Sequence, residues 1–193
     1  LRERPRPMSK MRQIIAQRLT QSVLTSPHFF VTVAIDMTNL LTYRKELKAR
    51  GLEFTVTDFV LEAVILSLRD FPIVNSVTDG RSARWNSAVH LGLATSIDEG
   101  LVVPVIRNAA DLSLRELHDT AAGLAKKARE GKLLPDEMTG STFTVSNMGM
   151  LGVENFTAII NPGEGAILAV ASTLETAAVR EGKVVPRSIM KIT

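Results

Sequence analysis

The sequence predicts an α/β domain in which helices cover a mixed β-sheet. Short apolar and β-branched runs alternate with amphipathic helical segments along most of the chain. The alternation does not follow a strict strand–helix–strand rhythm, which favours a mixed sheet over an all-parallel one. A chain of 193 residues with 45% hydrophobic and 22% charged residues is long enough to bury one substantial core.

Capping and stop residues place four helices. Each predicted helix begins at a serine, threonine or asparagine, whose side chain accepts a bond from a backbone N–H, and each stops at a glycine or proline signal. The predicted helices run from Ser9 to about Leu24, from Thr38 or Asn39 to about Ala49, from Thr57 to about Phe71, and from Ser113 to about Glu130.

The predicted strands are runs rich in β-branched, apolar and aromatic residues between turn residues. They cover residues 29–37, a hairpin within 74–86 that turns at Asp79-Gly80, residues 90–97, 101–106 with a break at Pro104, 142–145, 156–160, 166–170, and a last strand from Ser188 after a turn at Glu181-Gly182. Another turn is predicted at residues 98–100.

Residues 141–170 carry the pattern around which the chain is organised. A strand ends at two small hydrogen-bonding residues, Ser146 and Asn147, and a loop containing Gly149 and Gly152 follows. After a second strand-like run the chain turns at residues 161–163 and enters a short apolar run. Polar side chains at a strand end beside a glycine loop are a common way to mount a site on a rigid sheet.

Composition excludes several classes of function. The chain has no cysteine, which excludes disulfides, thiolate zinc sites and cysteine nucleophiles. Its three histidines, His28, His90 and His118, are too scattered to suggest a metal cluster. A net charge of +3 with one Trp and one Tyr gives little support for nucleic-acid binding. No apolar run approaches the ~20 residues of a membrane span.

The first seven residues, LRERPRP, are basic and interrupted by proline. They are typical of the end of an interdomain linker. We therefore expect a linker over residues 1–7 and one domain over residues 8–193.

Several motifs resemble the catalytic domain of the dihydrolipoyl acyltransferases, the core component of 2-oxo-acid dehydrogenase complexes. The motifs occur in the same order as in that family, and the resemblance extends over nearly the whole chain. They are MSKMRQIIAQRL at residues 8–19, SPHFF at 26–30, residues 54–58, GLVVPVIRNAADLSL at 100–114, and SNMGMLGVENFTAIINPGEGAILAV at 146–170.

This resemblance implies a fold, a reaction and an assembly. The fold would be the two-layer, mixed-sheet sandwich of the chloramphenicol acetyltransferase type. The reaction would move an acyl group between the dihydrolipoamide arm of a separate lipoyl domain and coenzyme A, without a metal. Acetyl is the leading candidate, and succinyl and branched-chain acyl groups remain open. Homotrimers would build a cubic or dodecahedral core with an active-site channel between subunits.

The resemblance also implies partners and a location. The partners would be the lipoyl domain, the decarboxylase and the dihydrolipoamide dehydrogenase components, with neither nucleic acid nor membrane among them. The location would be the bacterial cytoplasm, or the mitochondrial matrix in a eukaryote.

The resemblance assigns roles to single residues. Ser146 would donate a hydrogen bond to the oxyanion, with Asn147 and Thr144 as lesser candidates. Phe156 would line the channel near the thiols, and Gly149 and His28 would lie at the substrate site. On residue type alone each has a structural alternative. These are local backbone bonding for Ser146, a turn for Gly149, core packing for Phe156 and a buried imidazole for His28.

One family motif, His-x-x-x-Asp-Gly, does not occur in the sequence. Because the general-base histidine belongs to it, we expect a C-terminally truncated catalytic domain that lacks this base. Two alternatives stay open: a non-catalytic scaffold domain that assembles such a complex, and a different coenzyme A-dependent acyltransferase with the same fold.

Overall fold

A computed structural model describes residues 4–98 and 100–193. Residues 1–3 of the predicted linker and Glu99 of the predicted turn lie outside the described residues. Residues 4–7 are without regular secondary structure.

Four helices and nine strands make up the regular structure of the described residues. In chain order they are α1 (Lys10–Thr25), β1 (Val33–Asp36), α2 (Thr38–Ala49), α3 (Val56–Asp70), β2 (Ser76–Thr78), β3 (Ala83–Trp85), β4 (Leu91–Ile97), β5 (Gly100–Val102), β6 (Val105–Ile106), α4 (Leu114–Arg129), β7 (Phe143–Asn147), β8 (Ile167–Arg180) and β9 (Lys183–Ile192). Short 3₁₀ helices lie at Pro72–Val74, Ala109–Asp111 and Pro135–Met138.

Three of the four helices begin at a capping side chain, as predicted. The predicted cap of α2 at Thr38 or Asn39 is wrong, because Met37 precedes this helix and no side chain caps it. The Ser9 hydroxyl accepts a bond from the Arg12 N–H at 3.3 Å and begins α1. Complete capping boxes begin α3, with Thr55 and Asp58, and α4, with Ser113 and Glu116. The prediction for α3 was therefore late at its start, because Thr55 is the cap and Val56 the first helical residue.

The large sheet is mixed, as predicted. Its strand order is β1-β9-β8-β7-β4-β5, with β6 also paired to β4. The two central pairs, β4–β7 and β7–β8, are parallel, and the outer pairs are antiparallel. The predicted hairpin at Asp79-Gly80 forms a separate two-stranded sheet from β2 and β3.

The core lies between the sheet and helices α3 and α4. Residues of both helices and of the central strands meet in one apolar cluster, whose fully buried members include Leu61, Leu91, Ile106, Leu117 and Val145. This packing leaves β7 rigidly held between two neighbouring strands and under two helices.

Two predicted strands differ from the structure. Residues 156–160 lack the predicted strand. The physical reason is that side chains from another segment bond their backbone: the Ile160 N–H donates to His28 Nε2 at 3.0 Å, and the Ile160 carbonyl accepts from the Ser22 hydroxyl at 2.6 Å. In the predicted strand 29–37, only Val33–Asp36 pairs, since Val33 lies opposite Ile192, the last residue of β9.

The last hairpin is longer than predicted. β8 continues to Arg180 and β9 begins at Lys183, joined by the predicted turn, in which Glu181 and Gly182 both have positive φ angles of 50° and 76°. None of the described helices is long and apolar enough to cross a membrane.

The position of α3 over the sheet gives a test of the core. Leu61 has no exposed surface, whereas Leu66 on the same helix is 48% exposed. We expect Leu61→Ala to lower the free energy of unfolding by about 2–5 kcal/mol, because it leaves a cavity in the packed core. Leu66→Ala should change it by no more than about 0.5 kcal/mol. Urea denaturation measures both, and equal losses would contradict the packing described.

Candidate active site

Ser146 lies in the middle of the sheet, near the carboxyl end of β7. Its direct neighbours across the two parallel pairings are Ala94 of β4 and Ala169 of β8. Side chains alternate along a strand, so Ser146 faces away from Val145, which is buried beneath the helices. Both cross-strand neighbours carry only a methyl group, and among the described residues no hydrogen bond engages the Ser146 hydroxyl. The Ser146 hydroxyl is thus able to donate to a ligand.

Asn147 lies on the opposite face of the sheet. Its Nδ2 donates to the hydroxyl of Thr57 in α3 at 2.9 Å, and its Oδ1 accepts from the Gly149 N–H at 2.7 Å. Ser146 and Asn147, the first and a lesser candidate for the oxyanion donor, therefore lie on different faces of the sheet. Asn147 connects the glycine loop to the start of α3.

Gly149 is needed for this connection. A Cβ at residue 149 would lie 2.9 Å from Asn147 Oδ1 and 3.3 Å from the Ala171 carbonyl oxygen. Any larger residue would push the loop away from the Asn147 amide. The structure gives this glycine a close-approach role, in agreement with the turn interpretation of its sequence.

Thr144 shares the face of Ser146, but its hydroxyl is already engaged. It donates to Glu164 Oε1 at 2.8 Å, and the same oxygen accepts from Ser141 and from Asn161 Nδ2. Glu164 is buried, and its Oε2 has no partner among the described residues. Burial raises the pKa of Glu164, and the hydrogen bonds from Ser141, Asn161 and Thr144 partly oppose this. Sequence reasoning missed this buried acid, since an isolated Gly-Glu-Gly turn does not indicate burial.

His28 has both ring nitrogens engaged. Its Nδ1 donates to the Ser26 carbonyl at 2.6 Å, and its Nε2 accepts from the Ile160 N–H at 3.0 Å. These bonds describe the neutral imidazole with hydrogen on Nδ1. His28 therefore anchors the irregular segment 156–160, which carries the half-buried Phe156.

A second polar pair lies on the Asn147 side of the sheet. His118 Nδ1 is 2.7 Å from Asp58 Oδ2, and the same oxygen accepts from the N–H and the hydroxyl of Thr55. From the sequence, His118 was only one of three scattered histidines. The sequence could not reveal this pair, because Asp58 and His118 are sixty residues apart and meet only when α3 packs beside α4.

Asp58 and His118 line a cavity of about 390 Å³ that we call the α3–α4 cleft. The cleft is bounded by the start of α3, by α4, by the ends of β4 and β7 and by the loop at Met150 and Leu151. A second cavity of about 280 Å³ between α3 and strands β1 and β9 is lined almost entirely by apolar side chains. No group of three or more histidines and acids that could hold a metal ion lies within residues 4–98 and 100–193.

Comparison with known proteins gives one consistent family. The family model described as 2-oxoacid dehydrogenases acyltransferase (catalytic domain) matches residues 2–193. The dihydrolipoyllysine-residue acetyltransferase component of the acetoin cleaving system of Bacillus subtilis is 38% identical over 192 residues, which are 97% of this chain and 48% of that protein. The chain spans about half or less of the length of the curated relatives it matches.

Solved structures agree. Dihydrolipoamide acetyltransferase from Azotobacter vinelandii, in whose mechanism a serine, a histidine and an asparagine have been investigated, superimposes with a TM-score of 0.92 at 36% identity and covers 99% of this chain and 81% of its own. The cubic core of the pyruvate dehydrogenase multienzyme complex gives the same values. Chloramphenicol acetyltransferase, at 16% identity and a TM-score of 0.53, covers 91% of this chain and 82% of its own, and shares the fold alone. The predicted chloramphenicol-acetyltransferase-like fold is confirmed.

The burial of Glu164 makes stability depend on pH. Its pKa is raised in the folded state, so the folded protein holds this proton more tightly than the unfolded chain does. The contribution of Glu164 to stability is therefore greatest below its ordinary pKa of 4.5 and is lost as the pH rises through the folded-state value. As the pH rises above 4.5, the Glu164→Gln variant should become more stable than the parent protein. The difference in the free energy of unfolding should reach about 1.4 kcal/mol for each unit by which folding raises the pKa of Glu164.

Urea denaturation between pH 4 and pH 7 measures this difference. Glu175→Gln, which changes an exposed glutamate of β8, is the matched control. A difference between Glu164→Gln and the parent protein that stays constant across this range would contradict the raised pKa.

Proposed function

The chain belongs to the family of 2-oxoacid dehydrogenase acyltransferase catalytic domains, and we propose that it transfers an acyl group between coenzyme A and the dihydrolipoamide arm of a lipoyl domain. Acetyl is the acyl group that we propose, because the Bacillus subtilis and Rickettsia bellii relatives are named acetyltransferases. An acyl-transfer assay with different acyl-coenzyme A donors distinguishes acetyl from succinyl and branched-chain groups.

The observation that carries this proposal is the unengaged hydroxyl of Ser146. When a thiol attacks a thioester, the carbonyl oxygen becomes an oxyanion, and a fixed donor stabilises the transition state. Ser146 lies on a central strand between Ala94 and Ala169. The strand fixes the position of its Cα, and the two alanine side chains do not cover its hydroxyl. We assign it as the oxyanion donor. Thr144 is a poor candidate because Glu164 accepts its hydrogen.

The Azotobacter enzyme supports the assignment of Ser146, because a serine has been investigated in its mechanism. We propose that Ser146 corresponds to the serine investigated there. None of the three histidines is assigned as the general base. His28 has both nitrogens engaged, and His118 lies on the opposite face of the sheet. His90 precedes β4 and lies four residues before Ala94, the neighbour of Ser146, and its Nδ1 accepts from the Asn108 N–H.

The substrate channel would include the segment that follows the glycine loop. Phe156 lies on this segment, and we propose that it lines the path of the thiols. His28 would act on the substrate indirectly, by anchoring the backbone at Ile160. Gly149 would act by keeping the loop close to Asn147.

The exposed apolar surface supports an oligomer. Phe29, Phe30, Val31 and Val33 precede or begin the edge strand β1, and Phe29 is 87% exposed. An apolar strip of this kind beside an unpaired strand edge favours burial against another chain. We propose a homotrimer that builds a larger core, as in the cubic core that the chain resembles. The lipoyl domain, the decarboxylase and the dihydrolipoamide dehydrogenase are its proposed partners, in the bacterial cytoplasm or the mitochondrial matrix.

An acyl-transfer assay tests the function and the role of Ser146 together. The full-length protein would be given acetyl-, succinyl- or isobutyryl-coenzyme A with dihydrolipoamide, and thioester formation would be followed. We expect turnover with acetyl-coenzyme A and a loss in kcat of about a hundredfold or more in Ser146→Ala, because one oxyanion donor contributes about that factor. Ser67→Ala, which removes an exposed hydroxyl from α3, should leave kcat unchanged.

The outcomes separate the alternatives. Turnover that Ser146→Ala leaves untouched would retain the enzyme and remove the site assignment. A folded oligomer without turnover on any donor would favour the scaffold interpretation.

The apolar strip gives a separate test of assembly. Phe29→Glu should shift the protein toward monomer, because a charge would have to be desolvated in the interface. Sedimentation velocity measures the shift. Val184→Glu, at a 72% exposed position near the β8–β9 turn, is the control and should leave the oligomer intact. An unchanged sedimentation coefficient for Phe29→Glu would exclude this strip from the interface.

A further inference from the structure

We propose that Glu164 is a positioning residue for the acyl-transfer site. It holds residues 153–161, which we call the Phe156 segment, against the strand that carries Ser146. The inference rests on the proposed function, which places Ser146 and Phe156 at the reacting thiols. It adds a residue that touches neither thiol and acts through the positions of its neighbours.

The Phe156 segment belongs to no helix and no strand. Among the described residues, hydrogen bonds hold its backbone only near the two ends. The Val153 carbonyl accepts from the Ser172 N–H at 2.8 Å, and the Ile160 backbone bonds two side chains. Between described residues, the backbone of residues 154–159 makes no hydrogen bond. The position of Phe156 therefore depends on how firmly the two ends of the segment are held.

Glu164 connects the second end of the segment to β7. Its Oε1 accepts from the Thr144 hydroxyl at 2.8 Å and from the Ser141 hydroxyl. Thr144 lies on β7, two residues before Ser146 and on the same face of the sheet. The same oxygen accepts from Asn161 Nδ2 at 2.8 Å. One carboxylate oxygen thus joins the last residue of the Phe156 segment to the strand of the proposed oxyanion donor.

Two glycines make room for this cluster. Gly92 of β4 lies opposite Thr144, and a Cβ at residue 92 would lie 2.6 Å from the Thr144 hydroxyl oxygen. Gly165 follows Glu164, and a Cβ at residue 165 would overlap the carbonyl oxygen of Ser76 in β2. Because the backbone closes on the cluster from both sides, Glu164 is only 9% exposed and cannot turn out to solvent without moving its neighbours.

A buried carboxylate supplies something that an apolar side chain in the same place would not. Its Oε2 is buried without a partner among the described residues, an arrangement that is unfavourable by itself. Its Oε1 receives three directed hydrogen bonds from side chains of β7, of the residues before it and of the Phe156 segment. Directed bonds fix distances and angles, whereas apolar packing permits sliding. Glu164 therefore sets the spacing between the Phe156 segment and β7.

The two substrates should differ in how much they depend on this spacing. Dihydrolipoamide is a small molecule that consists of a dithiol and a short aliphatic chain, so apolar contacts near the thiols are a large part of its binding surface. Coenzyme A also has a nucleotide, which binds away from the thiols. Loosening the Phe156 segment should therefore raise the KM for dihydrolipoamide more than the KM for acetyl-coenzyme A.

Steady-state acyl transfer by the full-length protein tests the inference. Glu164→Ala removes the acceptor, whereas Glu164→Gln keeps an amide oxygen that can accept the same bonds. We expect the KM for dihydrolipoamide to rise about tenfold in Glu164→Ala and to stay within about twofold of the parent value in Glu164→Gln. A loss of folded protein alone would lower the apparent kcat and leave KM unchanged.

Thr144→Val is the milder variant, because it removes one bond, keeps the branched shape of the side chain and leaves two donors on Glu164. It should raise the same KM about threefold. Thr142→Val is the matched control. It removes a neighbouring buried hydroxyl that accepts from the His90 N–H and does not contact Glu164, so the KM should equal that of the parent protein. Circular dichroism melting of each variant confirms that it is folded.

Hydrogen–deuterium exchange separates this inference from the proposed function, because it needs no turnover. Amides of the Phe156 segment should exchange several-fold faster in Glu164→Ala and Thr144→Val than in the parent protein and Thr142→Val. Faster exchange in a protein without turnover would remove only the proposed function, whereas unchanged exchange would overturn the inference with or without turnover.

The kinetic results can overturn the inference independently. Turnover with an unchanged KM for dihydrolipoamide in folded Glu164→Ala and Thr144→Val would do so, whatever the exchange rates. A rise of the same size in the Thr142→Val control would show that any buried hydroxyl has this effect. A rise in Glu164→Gln as large as in Glu164→Ala would show that the acceptor oxygen is not what holds the segment.

Discussion

The structure depends on the double parallel pairing of β7. This strand lies between β4 and β8, and its register aligns Ser146 with Ala94 and Ala169. Hydrogen bonds to both neighbouring strands fix the backbone near the carboxyl end of β7, and the backbone in turn fixes where each side chain starts and which face it points to. Alternation then distributes chemistry between two faces: Thr144 and Ser146 on one, Val145 and Asn147 on the other. A shift of one residue would exchange the two sets and bury Ser146 beneath the helices.

Each face has its own buried acid. On the Ser146 side, Glu164 accepts three side-chain hydrogen bonds at one oxygen and joins Ser141, Thr144 and Asn161 into one cluster. On the other side, Asp58 completes the cap of α3 and holds His118. In both places the carboxylate holds the donors around it in position. Among the residues that the structure describes, the Ser146 hydroxyl on one face and His118 Nε2 on the other make no hydrogen bond.

Local chemistry explains why so many elements are predictable. Capping boxes, stop glycines and the turns at Asp79-Gly80 and Glu181-Gly182 act within four or five residues, so the sequence determines them without knowledge of the partner strands. Strand existence is different. Residues 156–160 have the composition of a strand and are irregular, because the Ile160 backbone is bonded to the side chains of His28 and Ser22 and to no strand. Composition contains no information on which distant side chains will bond a segment.

The sequence by itself determined the helices, the mixed sheet, the resemblance to the acyltransferase family and the selection of Ser146, because motifs and capping signals are contiguous in the chain. Only the tertiary structure decided that Ser146 and Asn147 lie on different faces, that His28 anchors a backbone segment, and that Asp58 meets His118. These facts depend on contacts between residues that are 60, 90 and 132 positions apart. Such contacts arise when packing chooses the partners of each element, and local sequence does not specify that choice.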